Sequence, residues 1–163
     1  MTYSDGDLAL TEALDCDAGM MSELGGPLPR SEAPALHRRR LEGIANGDWW
    51  LKIVPDPAGA VAGTIGIWRS NPDGEDLHEI GWMVLPDFQG RGIATEALKL
   101  LLTRARSEPR FSRVHAFPGV SNGASNALCR RFGFTKVEER DFEFRGSVLR
   151  CNHWELDVSE TPG

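Results

Sequence analysis

The six residues Gln89-Gly90-Arg91-Gly92-Ile93-Ala94 lie between a strand-like segment and an amphipathic helix. The strand is predicted over 79–85, and Pro86-Asp87 ends it. The helix is predicted to begin near Gly92, with an apolar stripe at helical spacing formed by Ile93, Ala97, Leu98, Leu101 and Ala105. Backbone N–H groups at a helix N-terminus, kept free of bulk by glycine, bind phosphate oxygens. The turn therefore predicts a phosphorylated ligand.

Two common nucleotide-binding motifs fit this turn poorly. A P-loop requires Lys followed by Ser or Thr after its second glycine, and Ile93-Ala94 occupy those places. A dinucleotide-binding motif requires a third glycine and an acidic residue about 20 positions later, at the end of a second strand. The third glycine is missing here, and the required distance reaches a predicted turn at 107–110. Both nucleotide interpretations are therefore weak.

A second segment, at 122–134, has the sequence Asn-Gly-Ala-Ser-Asn-Ala-Leu-Cys-Arg-Arg-Phe-Gly-Phe. It resembles the N-x-x-(A/S)-x-x-L-Y-x-x-x-G-F segment of the GCN5-related N-acetyltransferase (GNAT) superfamily. The first turn is similar to that family's acyl-CoA motif, Q/R-x-x-G-x-G/A, through Gln89, Gly92 and Ala94. The family's Tyr is replaced by Cys129. The chain looks like the branch that includes ribosomal-protein N-terminal and small-molecule acetyltransferases.

The predicted order of elements also resembles the GNAT layout. Strands before and between helices predict an α+β domain with a mixed, mostly antiparallel central sheet flanked by helices. Besides the elements above, strands are expected at 8–11, 49–54, 62–68, 113–117, 136–144 and 149–157, and helices at 32–45 and 122–132. The length fits a single domain, here 1–158, and the polar end at 159–163 is expected to fray.

Composition argues against several classes of protein. A net charge of −6 disfavours a general nucleic-acid binder, which needs a basic surface. No apolar run approaches the roughly 18 residues of a membrane span, and 1–15 lacks a signal-peptide pattern, so we expect a cytoplasmic protein. Cys16, Cys129 and Cys151 lack metal-ligand spacing, so we expect reduced thiols and no metal site. Dimers are common among GNAT relatives, and a homodimer is one of the assemblies that this resemblance allows.

The resemblance implies acetyl-CoA as the cofactor. Its pyrophosphate is expected on backbone N–H groups of the turn, and its pantetheine arm is expected to pair like an added strand near Met83 and Val84. Asn122 stands where the family often has an amide that contacts this arm, and Asn is also a preferred helix N-cap; the two roles are compatible. The expected cofactor-binding residues are Met83, Val84, Gln89, Gly90, Arg91, Gly92, Ile93, Ala94, Thr95, Asn122 and Ser125.

Two residues are candidates for catalysis, Glu79 and Cys129. Strand alternation places Glu79 with Gly81 and Met83 on one face, near the expected acyl group, and similar acids serve as the base in several GNAT relatives. A salt-bridged or solvent-facing Glu79 is an equal alternative. Cys129 would protonate the departing CoA thiolate, as the family's Tyr can, but packing is the favoured interpretation because small apolar thiols are usually buried and inert. His115 is a weaker base candidate.

The resemblance thus implies an acetyl-CoA-dependent N-acetyltransferase. It would move an acetyl group to a primary amine, on a small molecule or a protein N-terminus, by direct transfer in a ternary complex. A non-catalytic acyl-CoA-binding sensor or interaction module is the alternative, which Cys129 keeps open. The run His37-Arg38-Arg39-Arg40 is interpreted as a solvated helix face rather than an attraction for an acidic acceptor, and Trp68 and Trp82 as core residues.

Overall fold

A six-stranded sheet forms the centre of the computed structural model, which describes residues 1–57 and 59–159. The helices are α1 (Leu8–Asp15), α2 (Ala33–Ala45), α3 (Ile93–Arg106) and α4 (Gly123–Arg131). The strands are β1 (Trp49–Ile53), β2 (Gly63–Ser70), β3 (Leu77–Val84), β4 (Arg113–Ala116), β5 (Thr135–Phe144) and β6 (Ser147–Asp157). The predicted α+β class is confirmed.

The strands follow the order β1-β2-β3-β4-β6-β5. All neighbours pair antiparallel except β3 and β4, which run parallel and share the single register pair Glu79–His115. β3 pairs with β2 along its whole length, from Leu77 to Val84. The second half of β3 therefore has one paired edge and one edge that β4 does not reach.

The main hydrophobic core lies between one face of the sheet and α3. Strand residues Ile65, Ile67, Ile80, Val114 and Trp154 are buried together with the apolar stripe of α3, which contributes Leu98, Leu101, Leu102 and Ala105. The spacing of that stripe is the helical period seen in the sequence. This packing holds the N-terminus of α3 at the end of β3, where the glycine turn connects them.

The first two helices cover the opposite face at the β1–β2 side of the sheet. Alternation along β1 sends Trp49 into the main core and Trp50 to the other face, where the Arg40 guanidinium of α2 lies 4.9 Å from the Trp50 ring. Arg40 in turn contacts Asp15, the last residue of α1, through two hydrogen bonds of 2.9 and 3.1 Å. The sheet is thus sandwiched between α3 and the α1–α2 pair at this end.

The prediction of a strand at 8–11 is wrong, because these residues form the start of α1. The polar segment before it leads into the helix: Ser4 and Asp7 form a capping box, with the Ser4 amide 2.7 Å from the Asp7 carboxylate, around a 3-10 turn (Asp5–Asp7) that continues directly into α1. The chain's first contact with the sheet lies earlier, where the amide of Tyr3 donates to Trp50 and that of Lys52 donates to Met1. The first three residues therefore occupy the edge position that the sequence assigned to 8–11.

The end of the chain lies mostly outside the described residues. Of the segment expected to fray, 159–163, only Ser159 is described, and its amide donates to the Asp157 carboxylate at 2.9 Å. Across 1–57 and 59–159, no helix combines the length and apolar character needed to span a membrane.

Candidate active site

A cavity of about 1380 Å³ lies where β3 and β4 separate. One side is formed by the second half of β3 and the glycine turn, the other by the segment after β4 and the start of α4. Helices α1 and α2 and the β5–β6 hairpin surround its far end. The expected cofactor-binding residues that line it are Met83, Val84, Gln89, Gly90, Gly92, Ile93, Ala94, Thr95, Asn122 and Ser125. Arg91 is not among the lining residues; its guanidinium lies 5.7 Å from the Phe88 ring.

The glycine turn exposes the N-terminus of α3 to this cavity. Gly90 and Gly92 have φ values of +74° and +73°, in the left-handed region that glycine adopts without cost, and the space that a Cβ would take is empty at both. The first N–H groups of a helix have no intrahelical acceptor, so those of Ile93, Ala94 and Thr95 are free to bind an anion. The turn therefore has the room and the donors that a phosphate needs.

Gln89 connects the turn to the strand before it. Its side-chain amide donates to the Val84 carbonyl oxygen at 2.9 Å. Val84 is the last residue of β3, so this hydrogen bond fixes the turn relative to the strand end. The glutamine of the motif thus has a structural role within the protein.

The open edge of β3 offers backbone groups to a ligand of extended shape. Beyond the pair Glu79–His115, β4 makes no register pair with β3, and the residues Ile80, Gly81, Trp82, Met83 and Val84 line the cavity. An unpaired strand edge binds an extended chain by main-chain hydrogen bonds, as in strand addition. A pantetheine arm, with its two amides, is such a chain.

Glu79 lies at the point where β3 and β4 separate, and it lines the cavity. Its register partner on β2 is Trp68, so the two side chains share the sheet face opposite the main core. Burial raises the pKa of the Glu79 carboxyl from 4.5 to about 7, although hydrogen bonds with Ser70 and Trp68 oppose the rise. A carboxyl with that pKa exchanges protons at neutral pH.

Two stacked indoles form a wall next to Glu79. The rings of Trp50 and Trp68 lie 4.4 Å apart at an angle of 16°. Gly81 makes room for this wall, because a Cβ there would lie 2.6 Å from the Trp68 ring. Assignment of Trp68 to the core is therefore wrong: it lines the cavity, whereas Trp82 both packs against the core and lines the cavity.

A buried ion cluster closes the far end of the cavity. Asp15 accepts two hydrogen bonds from Arg40 and a third, at 2.8 Å, from Arg145 at the tip of the β5–β6 hairpin. The interpretation of 37–40 as a solvated face holds for Arg38 and Arg39 but is wrong for the other two residues. Arg40 is buried against Asp15, and His37 is buried between Thr11 and the Asp5 carbonyl, with contacts of 3.1 Å to each.

The start of α4 provides the opposite wall. Asn122 is the N-cap, and its side-chain oxygen accepts the Ser125 amide at 3.2 Å. Both residues also line the cavity, so the cap and a ligand contact are compatible in space. The cap orients the Asn122 side chain without help from a ligand.

Cys129 and His115 both lie outside the lining of this cavity. Cys129 is fully buried in the main core, and burial raises the pKa of its thiol to about 12. Both facts favour packing over proton donation. His115 is buried, and its Nδ1 lies 2.8 Å from Nε2 of His153. Burial and the neighbouring His153 lower the pKa of His115.

The family model described as "Acetyltransferase (GNAT) domain" matches residues 1–135. The chain belongs to this family. The match covers most of the chain and includes the glycine turn and the whole of α4. The resemblance read from the two motifs is thus confirmed, as is the GNAT-like fold.

The individual relatives match only part of this chain or share little sequence identity with it. An N-acetyltransferase 9-like protein from Nematostella vectensis is 31% identical over 83 residues, which are 50% of this chain and 42% of the relative. Matched segments span 31% to 45% of the lengths of the curated relatives.

Two solved structures share the fold with a TM-score of 0.77. Spermidine N-acetyltransferase from Vibrio cholerae, in complex with CoA and spermine, is 16% identical, with 98% of this chain and 94% of that chain covered. Ribosomal-protein-alanine N-acetyltransferase from Brucella melitensis is 21% identical, with 96% and 98% covered.

Proposed function

We propose that this chain is an acetyl-CoA-dependent N-acetyltransferase that acts on a primary amine by direct transfer in a ternary complex. The observation that carries the proposal is one continuous cavity. It joins free helix N–H groups, an unpaired strand edge and a carboxyl group whose pKa is about 7. Family membership and the related structure with bound CoA support the same assignment.

The cofactor's two ends fit two different parts of the cavity. The turn from Gly90 to Thr95 would hold the pyrophosphate, because its open glycine positions leave room for phosphate oxygens next to backbone N–H groups. The edge of β3 near Met83 and Val84 would pair with the pantetheine arm, with Asn122 on the opposite wall. Bound acetyl-CoA supplies an acetyl group activated as a thioester.

Glu79 would accept the proton that the amine must lose. Amines are mostly protonated at neutral pH, since the reference pKa is near 10 for an alkyl amine and near 8 for a protein N-terminus. A carboxylate with a pKa of about 7 is a stronger base than an ordinary Glu, and it accepts a proton directly or through one water. Backbone N–H groups on the open edge of β3 would hold the oxygen of the acetyl carbonyl as negative charge develops there.

The acceptor is an amine, on a small molecule or at a protein N-terminus. The printed names of the two structural relatives cover both kinds, spermidine in one and a ribosomal-protein alanine in the other. Here the acceptor end of the cavity is bounded by the Trp50–Trp68 stack and the Asp15–Arg40–Arg145 cluster. The cytoplasm is the proposed compartment, in keeping with the free thiols of Cys16, Cys129 and Cys151.

The test is thiol release from acetyl-CoA with a panel of amines, in wild type, Glu79→Gln and Glu42→Gln. We expect wild-type activity whose kcat/KM rises with pH through about 7, following ionisation of Glu79. Glu79→Gln should lower kcat about 10²- to 10⁴-fold. Glu42, which is exposed on α2 outside the cavity, is the matched control, and Glu42→Gln should stay within about twofold of wild type.

Three outcomes separate the parts of the proposal. Intersecting initial-rate lines support direct transfer, whereas parallel lines would indicate an acetylated enzyme. Unchanged turnover in Glu79→Gln would remove the base and leave the transferase intact. Binding of acetyl-CoA without turnover on any amine would favour the alternative, a non-catalytic acyl-CoA-binding module.

A further inference from the structure

Three side chains with metal-ligating atoms meet on β4 and β6, outside the cavity described above. His115 and Glu155 are direct register partners on these antiparallel strands, and His153 lies two residues before Glu155. Their neighbours Val114, Ala116 and Trp154 point into the main core, so alternation places all three on the opposite face of the sheet. None of them lines the cavity, although His115 is the register partner of Glu79, which does.

The geometry of this cluster suits a small divalent ion. One ligand atom from each of His115, His153 and Glu155 lies within 4.8 Å of the others. Nδ1 of His115 is 2.8 Å from Nε2 of His153. Ligands bound at about 2.0–2.2 Å around a tetrahedral zinc ion are about 3.3–3.6 Å apart. Small side-chain rotations, which separate the imidazoles and bring the carboxylate closer, would reach that arrangement.

Burial and unmet hydrogen bonding distinguish this cluster from a solvated surface group. His115 and His153 are only 8% and 6% exposed. Among the described residues, Nδ1 of His153 has no hydrogen-bond partner, and the Glu138 carboxylate lies 4.0 Å from it. Metal-bound histidines usually direct their second N–H toward a carboxylate. With its proton on Nδ1, facing Glu138, His153 would present a lone pair on Nε2 to the ion.

The charges around the cluster also favour a cation. Glu155 is itself a ligand candidate, and Glu75 and Glu138 add negative charge near His153. Arg140, the cation that acts on His153, is paired with Asp73 and Glu138. Arg113 adds positive charge near His115, where Glu155 and Glu75 oppose it.

We propose that His115, His153 and Glu155 bind one divalent transition-metal ion of the zinc class, with water in the fourth position. Two imidazoles and a carboxylate are a donor set that Zn²⁺ accepts. The ion would join β4, which has only four residues, to the long strand β6. Its role would be to stabilise the sheet, since the site lies outside the cavity and the proposed transfer does not need it.

The test is a titration of chelator-treated wild type with Zn²⁺ in competition with a chromophoric chelator. We expect one ion bound per chain, and at least tenfold weaker binding in His153→Gln and in Glu155→Gln. His78→Gln is the matched control, because His78 lies on another face against Phe111 and should not change zinc affinity. Equal affinity in wild type and His153→Gln, or less than about a tenth of an equivalent bound, would show that the two imidazoles form a hydrogen-bonded pair only.

Cobalt substitution tests the ligand set without any variant. Co²⁺ bound to nitrogen and oxygen ligands should give visible bands of a four-coordinate ion and no strong near-ultraviolet thiolate band. A thiolate band would implicate Cys151, which is on the same strand face, and would overturn the proposed ligands. Neither experiment depends on acetyl transfer, so failure of the metal site and failure of the transferase are distinguishable.

Discussion

At the scale of single residues, the raised pKa of Glu79 connects function to stability. The folded protein favours the protonated carboxyl, because burial raises its pKa from 4.5 to about 7. The cost of the charge is therefore absent below pH 4.5 and grows as pH rises toward 7. Relative to Glu79→Gln, the wild type should lose at most about 3 kcal/mol of unfolding free energy across this window.

Urea denaturation of both proteins at pH 4.5, 6 and 8 measures this difference. The difference in unfolding free energy between Glu79→Gln and wild type should widen as pH rises. The difference between the exposed control Glu42→Gln and wild type should stay constant. A gap that does not change with pH would mean that Glu79 ionises as an ordinary surface carboxyl.

The same residue shows what a single sequence predicts about a site. The face of Glu79 follows from the two-residue period of a strand, which is local and therefore readable. The position of Trp68 depends on Gly81 of another strand, which leaves space for its ring, and nothing local to Trp68 carries that information. Arg40 is buried because it contacts Asp15 and Tyr3, which lie far from it in sequence. The local run of cations alone is typical of a solvated surface and does not reveal these partners.

At the scale of elements, the glycine turn before α3 makes a second prediction. Gly92→Ala places a methyl group in open space beside the cavity and forces a non-glycine residue to φ near +73°. We expect a loss of about 1 kcal/mol in stability and about tenfold weaker CoA binding, measured by calorimetry. Gly133→Ala is the matched control: its φ is +81°, its Cβ position is also open, and it lies outside the cavity lining.

The control separates backbone strain from ligand contact. Both variants should lose similar stability, and only Gly92→Ala should lose affinity for CoA. Equal affinities in the two variants would mean that the turn does not contact the cofactor.

The β5–β6 hairpin makes a third prediction, because its tip is attached to α1 by an ion pair. Arg145→Ala removes one of the two guanidinium partners of Asp15, whose side chain is 2% exposed. Arg40 remains, so we expect a loss of about 1–2 kcal/mol. Arg150→Ala, whose ion pairs with Glu139 and Asp141 are about half exposed, should cost less than about 0.5 kcal/mol. Similar losses in the two variants, by urea denaturation, would contradict a tethered hairpin.

Elements were easiest to predict where their apolar residues recur at the period of a helix or a strand. The stripe of α3 has that property, and the helix begins at Ile93, next to the predicted Gly92. The predicted ranges of β2, β5 and β6 also lie close to those observed, because turn residues bound these strands. The helix α1 was assigned as a strand because four residues at 8–11 are too few to distinguish the two periods. The cap formed by Ser4 and Asp7, just before it, was the signal that would have corrected the assignment.

At the scale of the whole molecule, residues distant in sequence meet in ways that spacing does not reveal. His115 and His153 are 38 positions apart, and only the antiparallel pairing of β4 with β6 brings them together. Ligand spacing along the sequence therefore predicts no metal site, because these ligands lie on two separate strands. The cavity proposed for acyl-CoA was predictable because both of its motifs are contiguous segments.

The cavity as a whole makes the last prediction, since a ligand that fills it must stabilise the entire fold. A ligand at 100 times its dissociation constant adds about 2.7 kcal/mol, which for a chain of this length raises Tm by about 5–10 °C. Acetyl-CoA and CoA should both reach this shift, because each is proposed to engage the turn and the open edge of β3. ATP and NAD both supply phosphates without the pantetheine arm, so both should give much smaller shifts at matched concentration. A shift with ATP as large as with CoA would mean that the turn alone determines binding and that the β3 edge contributes nothing. No shift with acetyl-CoA or CoA would remove the cofactor, and the proposed transferase with it.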